Sequence, residues 1–543
     1  MNDLQKWIRI RKDLYLTMEA QVRHRLGEDT QELALYHKTY EREFNKKWSP
    51  CANDDLWHQV SQSRIVLMGD FHALKQSQKA QLRILRNIPK DRPLVLCVEF
   101  FEAADQEFID RYVAGKMSEK DFLKEIKWHE RWGFPWENYR PLIRFAQKRK
   151  IPVYGINKAQ KKRNAASLKS RDVFAGKKIA ETVKLHQDSL VFVIYGDLHL
   201  AGPHIPAEIV KQLGKPIEKS MLRIFQNAEK IYFQLLAREL EVGTDVVRIS
   251  QRSFCLMSVP PWVKWQNYLL YLEQTYDEGL GEDDDDETDE SLDYTDHIGR
   301  YVKMISEELG APVSTAALSV YTAQDSQFWS LVKEKLADKK LRAVEQMIAD
   351  DSSFYLPEVG AAYLARGTVN HAASLAMQYV HAHLCELKEF YFHVPQDFSR
   401  RIWLEGVAYF GSKIVNHKRK TDTIIDIKAT LASRGPADHA KEALTLALAQ
   451  KMHELMVITG VSKHRLQAVP RSKWSYMAAA EILGGMLGER MYFGYHKKLL
   501  SKATVLNFLK KSLTEDAFNN AYYEMLEVIE ALPAPFESKK EKL

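Results

Sequence analysis

Ile65-Val66-Leu67-Met68-Gly69-Asp70-Phe71-His72 and Leu190-Val191-Phe192-Val193-Ile194-Tyr195-Gly196-Asp197-Leu198-His199 share one plan: an apolar run, then Gly-Asp-x-His. A third run, Leu94-Val95-Leu96-Cys97-Val98, ends in Glu99. Short apolar runs with β-branched members read as strands buried on both faces, the mark of a parallel sheet. Ligands of such sheets gather at the carboxyl ends of the strands. The pattern therefore predicts that His72, Glu99 and His199 meet at one sheet edge, within reach of one small ligand. Imidazoles and carboxylates at such an edge can hold a metal ion, move protons or contact a haem.

From about Arg64 to Gln274 more signals follow in order. Gln78 stands just after the first motif, and Val98-Glu99-Phe100-Phe101-Glu102 ends the second strand. Then come Asp110-Arg111-Tyr112, the block Trp128-His129-Glu130-Arg131-Trp132-Gly133-Phe134-Pro135-Trp136-Glu137-Asn138-Tyr139-Arg140-Pro141-Leu142, and Ile151-Pro152-Val153-Tyr154-Gly155-Ile156-Asn157. With the second Gly-Asp-x-His, this set resembles the ChaN-like haem-binding domain of the Tiki/EreA superfamily. The family includes haem-binding lipoproteins, a macrolide esterase group and a metal-dependent protease group. The resemblance thus implies a fold and a site more firmly than a reaction. It also implies a bacterial source. The family's first motif more often carries Glu where this chain has Asp70, a carboxylate one methylene shorter.

On this basis His72, Glu99 and His199 are the candidate catalytic or metal-ligating residues. Asp70, Asp197, Trp128, Trp132, Arg140 and Asn157 are the candidate ligand contacts. Each has a plainer reading. The histidines could cap or fill the core. Glu99 could pair with an arginine such as Arg140, since a buried carboxylate needs a partner. Asp70 and Asp197 could accept N–H bonds at turns. Trp128, Trp132 and Trp136 recur every four residues and could form an aromatic wall for a porphyrin, or simply pack the core. Gly133 and Pro135 should break their helix before Trp136. No motif assigns a haem axial ligand; His129, Tyr139, Tyr154 and His204 are neighbouring candidates. The expected cofactor is haem or a divalent metal ion. The functional reading is a haem- or metal-ligand-binding protein. A metal-dependent or metal-free hydrolase and a silent scaffold remain the alternatives, so catalysis is left open.

The rest of the chain frames this site. With 543 residues, several domains are expected. The composition, 45% hydrophobic and 28% charged, is that of an ordinary globular protein. A net charge of +6 over this length gives no argument for nucleic acid. Cys51, Cys97, Cys255 and Cys385 lie far apart with no Cys-x-x-Cys, which fits a reducing compartment and excludes a zinc-ribbon pattern. Met1 to Lys12 lacks the apolar core of a signal peptide, and no apolar run is long enough to span a membrane. A cytoplasmic protein with a small-molecule partner such as haem is expected, and a homodimer is left open.

Four regions are predicted: a helical extension over 1–60, the α/β domain over 61–278, an acidic linker over 279–294 and a helical domain over 295–543. The α/β domain is a mainly parallel sheet flanked by helices, with a helical insertion. Helices are expected at 77–88, after Ser118, over 164–185 and over 262–276, with an antiparallel strand pair at a sheet edge over 244–257. Residues 281–290 hold eight carboxylates, too dense to bury and without the Gly and Glu spacing of an EF-hand. Beyond them, 359–383, 398–415, 440–458 and 478–500 read as helices in a region almost without strands. Its histidines, including His371, His381, His383 and His453, match no His-Glu-x-x-His and read as structural. Gly484-Gly485-Met486-Leu487-Gly488 reads as a place for close helix packing, not a phosphate loop.

Overall fold

The computed structural model describes residues 3–26, 31–158, 165–277, 294–323, 325–390, 398–433, 438–462, 473–513 and 518–539. The acidic run 281–290 lies outside the described residues, as does the expected linker except for Tyr294. The chain divides into two compact units, residues 1–278 and 279–542.

The first unit opens with two helices, α1 (Asp3–Leu26) and α2 (Gln31–Glu43), then a short strand β1 (Ser49–Cys51) and α3 (Asn53–Gln62). Strand and helix next alternate: β2 (Ile65–Asp70), α4 (Lys75–Asn87), β3 (Leu94–Glu102). The insertion follows as α5 (Gln106–Val113), α6 (Glu119–Glu125), α7 (Trp128–Arg131) and α8 (Trp136–Arg149). Alternation resumes with β4 (Val153–Asn157), α9 (Ala165–Leu185), β5 (Leu190–Gly196), α10 (Ile205–Leu213), β6 (Met221–Gln226) and α11 (Glu229–Leu236). β7 (Val246–Ser250), β8 (Ser253–Leu256) and α12 (Pro261–Asp277) complete it.

The eight strands form one sheet in the order β1-β7-β8-β6-β2-β5-β3-β4. All pairings from β8 to β4 are parallel, and β7 runs antiparallel to β8 and β1. The α/β reading therefore holds. The strand pair over 244–257 forms, but it is not the edge. β1 covers it, a strand hidden in the sequence by Pro50; proline is tolerated there because an edge strand can spare an N–H. Val66, Met68, Leu96, Val98, Phe192 and Ile194 pack with Leu82 and Leu85 of α4 and Leu142 and Ile143 of α8. Their neighbours Ile65, Leu67, Val191 and Val193 are as deeply buried, so the sheet is covered on both faces. Ser118 caps α6 by accepting the Asp121 N–H at 3.1 Å. Gly133, at φ +79°, ends the turn carrying Trp128 and Trp132, as the breakers predict.

In the second unit α13 (Tyr294–Leu309), α14 (Ser326–Lys335), α15 (Asp338–Ala349) and α16 (Val369–Leu384) surround a small sheet of β9 (Ser319–Tyr321), β10 (Phe354–Leu356) and β11 (Ala361–Tyr363). This corrects the expectation of one helix over 359–383: Gly360 at φ +74° turns the chain into β11 instead. α17 (Phe398–Val415), α18 (Ile424–Ala432), α19 (Asp438–Ile458), α20 (Lys473–His496), α21 (Lys502–Leu509) and α22 (Phe518–Glu530) follow. α17 and α20 meet at their glycines: a Cβ on Gly488 would stand 2.3 Å from the Gly406 carbonyl oxygen. Among the described residues no helix is long and apolar enough to cross a membrane.

Candidate functional site

The connection leaving β2 passes β5 to reach β3, and that leaving β5 returns past β2 to β6. Strand order reverses between these neighbours, where open α/β sheets form a crevice. The register sets Asp70 beside Gly196, the last residues of β2 and β5, and Val98 beside Ile194, so Glu99 stands just past the last paired residue of β3 and β5. Past β5 a 3-10 turn over Asp197–Leu200 presents His199. A Cβ placed on Gly196 would lie 3.4 Å from Glu99 Oε2, 3.4 Å from His199 Cδ2 and 3.6 Å from His72 Nε2. The structure thus gathers His72, Glu99 and His199 around one glycine at the carboxyl end of the sheet.

Each imidazole is backed by a carboxylate. His72 Nδ1 lies 2.8 Å from Asp70 Oδ2. The other Asp70 oxygen accepts from Ser77 at 3.1 Å, Gln78 at 2.7 Å and Gln81 at 2.8 Å. Burial pushes the Asp70 pKa up, but His72 and the two glutamines outweigh it and hold the acid below its ordinary range. Ionised Asp70 can only accept, so the proton of this pair sits on His72 Nδ1. Nε2 stands 3.8 Å from Glu99 Oε2. His199 Nδ1 likewise lies 2.6 Å from Asp172 Oδ1. Glu99 accepts the Gly196 N–H at 2.6 Å and forms an ion pair with Arg171.

These groups face a cleft of about 800 Å³. Asp70, His72, Glu99, Arg171, Asp197 and His199 line it together with Phe71, Lys264, Trp265, Tyr268 and residues of α1 and α2. Asp197 lines the cleft with its carboxylate engaged by the protein. Its carboxylate accepts the Gln226 N–H at 3.1 Å and the Tyr40 hydroxyl, and burial lifts its pKa to about 7.

The remaining candidates lie elsewhere. Trp128 is 1% exposed, donates to the Phe134 carbonyl at 2.8 Å and packs on Phe100, Phe101 and Tyr139, so it is core and not a ligand wall. Trp132 stands behind His72, ring centroids 4.7 Å apart, and buttresses that imidazole. Arg140 pairs with Glu119 at 3.3 Å, leaving Arg171 as the partner of Glu99. The Asn157 side-chain oxygen accepts the Lys158 N–H at 3.0 Å. Neither Arg140 nor Asn157 faces the cleft. Nor do the neighbouring axial candidates: Tyr139 is bound to Asp70, Tyr154 to His186, His204 stacks on Tyr36, and His129 is exposed on α7.

Among the described residues no group of three or more His, Cys, Asp or Glu side chains is arranged to share one metal ion. The triad His72, Glu99 and His199 is therefore a cluster without the geometry of a metal centre.

Sequence reasoning missed Arg171, Asp172, Tyr36 and Tyr40. One signal was present. Asp172, Ala175 and Ile179 fall on one stripe of α9, and all are fully buried, so a carboxylate in an apolar stripe marked a paired group.

No curated protein matches the chain. A solved structure titled "Cofacial heme binding to ChaN of Campylobacter jejuni" aligns at 12% identity and a TM-score of 0.24, covering 34% of this chain and 89% of that one. No family model matches the C-terminal region. Residues 56–172, which carry His72, Glu99 and the aromatic insertion, match the family described as haem-binding uptake, Tiki superfamily, ChaN.

Proposed function

We propose that the first unit binds haem in the cleft at the carboxyl ends of β2, β3 and β5, with His72 as the iron-facing ligand. The carrying observation is the Asp70–His72 pair. A carboxylate holding Nδ1 fixes the ring and makes Nε2 the better donor, as it does for metal-bound histidines generally. Haem iron accepts imidazole as an axial ligand. The residues fit such a group: Nε2 faces a cleft of about 800 Å³ walled by Phe71, Trp265 and Tyr268, side chains suited to a flat apolar ring. The match of residues 56–172 supports the same ligand. A bound haem would supply an iron coordination site; the chain's own residues orient His72 and shield the ring from water.

Hydrolysis is the second reading, favoured by one observation. An imidazole tied through Nδ1 to a carboxylate is also the arrangement of a general base, and His199–Asp172 repeats it. No Ser, Thr or Cys stands among the described residues facing the cleft, so water would be the nucleophile. Haemin added to the purified protein, with metal analysis of the untreated sample and assays on ester and peptide substrates, separates the two. Haem binding requires a saturable Soret band distinct from that of free haemin. Turnover of an ester or peptide without such a band would favour hydrolysis.

A further inference from the structure

We infer that α2 is a hinged cover over the cleft, latched by Tyr36 and Tyr40, and that its lifting admits the ligand. This rests on reading the cleft as the ligand site. Among the described side chains of residues 33–45, Tyr36, Tyr40, Glu43 and Phe44 are the buried ones. Three of these four are tied to the rim by polar bonds. The Tyr36 hydroxyl donates to Asp172 Oδ2 and the Tyr40 hydroxyl to Asp197 Oδ2. Glu43 Oε1 accepts the Gly202 N–H at 2.8 Å and Arg223 at 2.9 Å. Ring packing adds to these bonds: Tyr36 lies on His204 at 3.6 Å and near His199 at 5.7 Å, and Tyr40 and Phe44 on Phe225 at 5.9 and 5.3 Å.

A thirteen-residue helix near the start of the chain, fastened to the sheet edge through these few side chains, is a segment that can open as a unit. Its position makes the opening consequential. His37, Lys38 and Glu41 of α2 line the same cleft as His72 and Glu99. The latch also shares a group with the site: Asp172 holds His199 through Oδ1 and Tyr36 through Oδ2. Lifting α2 removes one of the bonds that fix this carboxylate, so cover and imidazole are coupled. α2 precedes the matched segment 56–172, so the cover is a feature of this chain beyond that match.

The test uses the full chain with Tyr36→Phe and Tyr40→Phe combined, which keeps both rings and removes both hydroxyl bonds. Hydrogen exchange of residues 31–44 without ligand should accelerate on the order of tenfold to a hundredfold, with β2 and β5 amides unchanged. Haemin association, followed by rapid mixing, should quicken in parallel. Unchanged exchange in 31–44, or equal acceleration in β2 and β5, would overturn the cover and leave the tyrosines structural. Faster exchange with an unaltered haemin association rate would overturn α2 as the entry route. Should the double variant fail to fold, the single variants Tyr36→Phe and Tyr40→Phe are measured alike. A wild-type protein that takes up no haemin would sink the functional reading, while the exchange measurement still judges the cover.

Discussion

A carboxylate stands behind His72 and another behind His199, and that pairing decides what the residues can do. Asp70→Asn can no longer enforce the Nδ1–H tautomer of His72. Haem affinity should then fall on the order of tenfold to a hundredfold, read from a haemin titration; unchanged affinity would mean that Asp70 serves packing alone. Asp70 also carries three bonds from Ser77, Gln78 and Gln81, so the variant should lose melting temperature as well. His72, Glu99 and His199 were legible because each follows an apolar strand, and parallel strands carry their endings to one edge. Arg171 and Asp172 were not, because helix positions reach the edge only through packing that the local pattern does not encode. Trp128 misled for a related reason: regular spacing of tryptophans fits a ligand wall and a core equally, and burial chose the core.

At the scale of elements, α2 changes the account most. Its sequence reads as an unremarkable charged helix, yet its buried stripe fastens it to the sheet edge. Glu43 gives that attachment a pH dependence. Burial pushes its pKa up, but Arg223, Lys46 and the Gly202 N–H outweigh it and bring it from 4.5 to about 2. A folded value below the unfolded one adds stability that is full above pH 4.5 and lost as pH falls toward 2. Glu43→Gln should therefore destabilise the first unit at pH 7 by on the order of 1–3 kcal/mol, and the gap should close on acidification. Urea melts across this range check it, and a gap independent of pH would refute the assignment. β1, β9, β10 and β11 were invisible because three-residue strands carry too short a pattern, and β1 holds a proline besides. The glycines of α20 were read correctly as a place of close helix packing. Gly488→Ala should cost about 1–3 kcal/mol by overpacking against the Gly406 carbonyl, seen as a lower melting transition with haemin uptake unchanged.

At the scale of the whole molecule, the chain consists of two compact units, each with its own buried core. Residues 1–278 produced alone should fold and keep the cleft, since its described lining lies in that unit. A cooperative melt and undiminished haemin uptake by that piece are the expected outcomes; an unfolded piece would show that the two units need each other. The parallel order of the sheet followed from its apolar runs, whereas the helical unit yielded only its longer helices, because amphipathic spacing predicts a helix without saying what it packs against. The central claim, haem held by His72 in the cleft, is tested most directly by titrating haemin into the wild-type chain and His72→Ala side by side while recording the Soret band. The account predicts a saturable band at one haem per chain in the wild type and its loss or a marked shift in the variant, with both proteins equally folded. Identical spectra and affinities in the two proteins would contradict it.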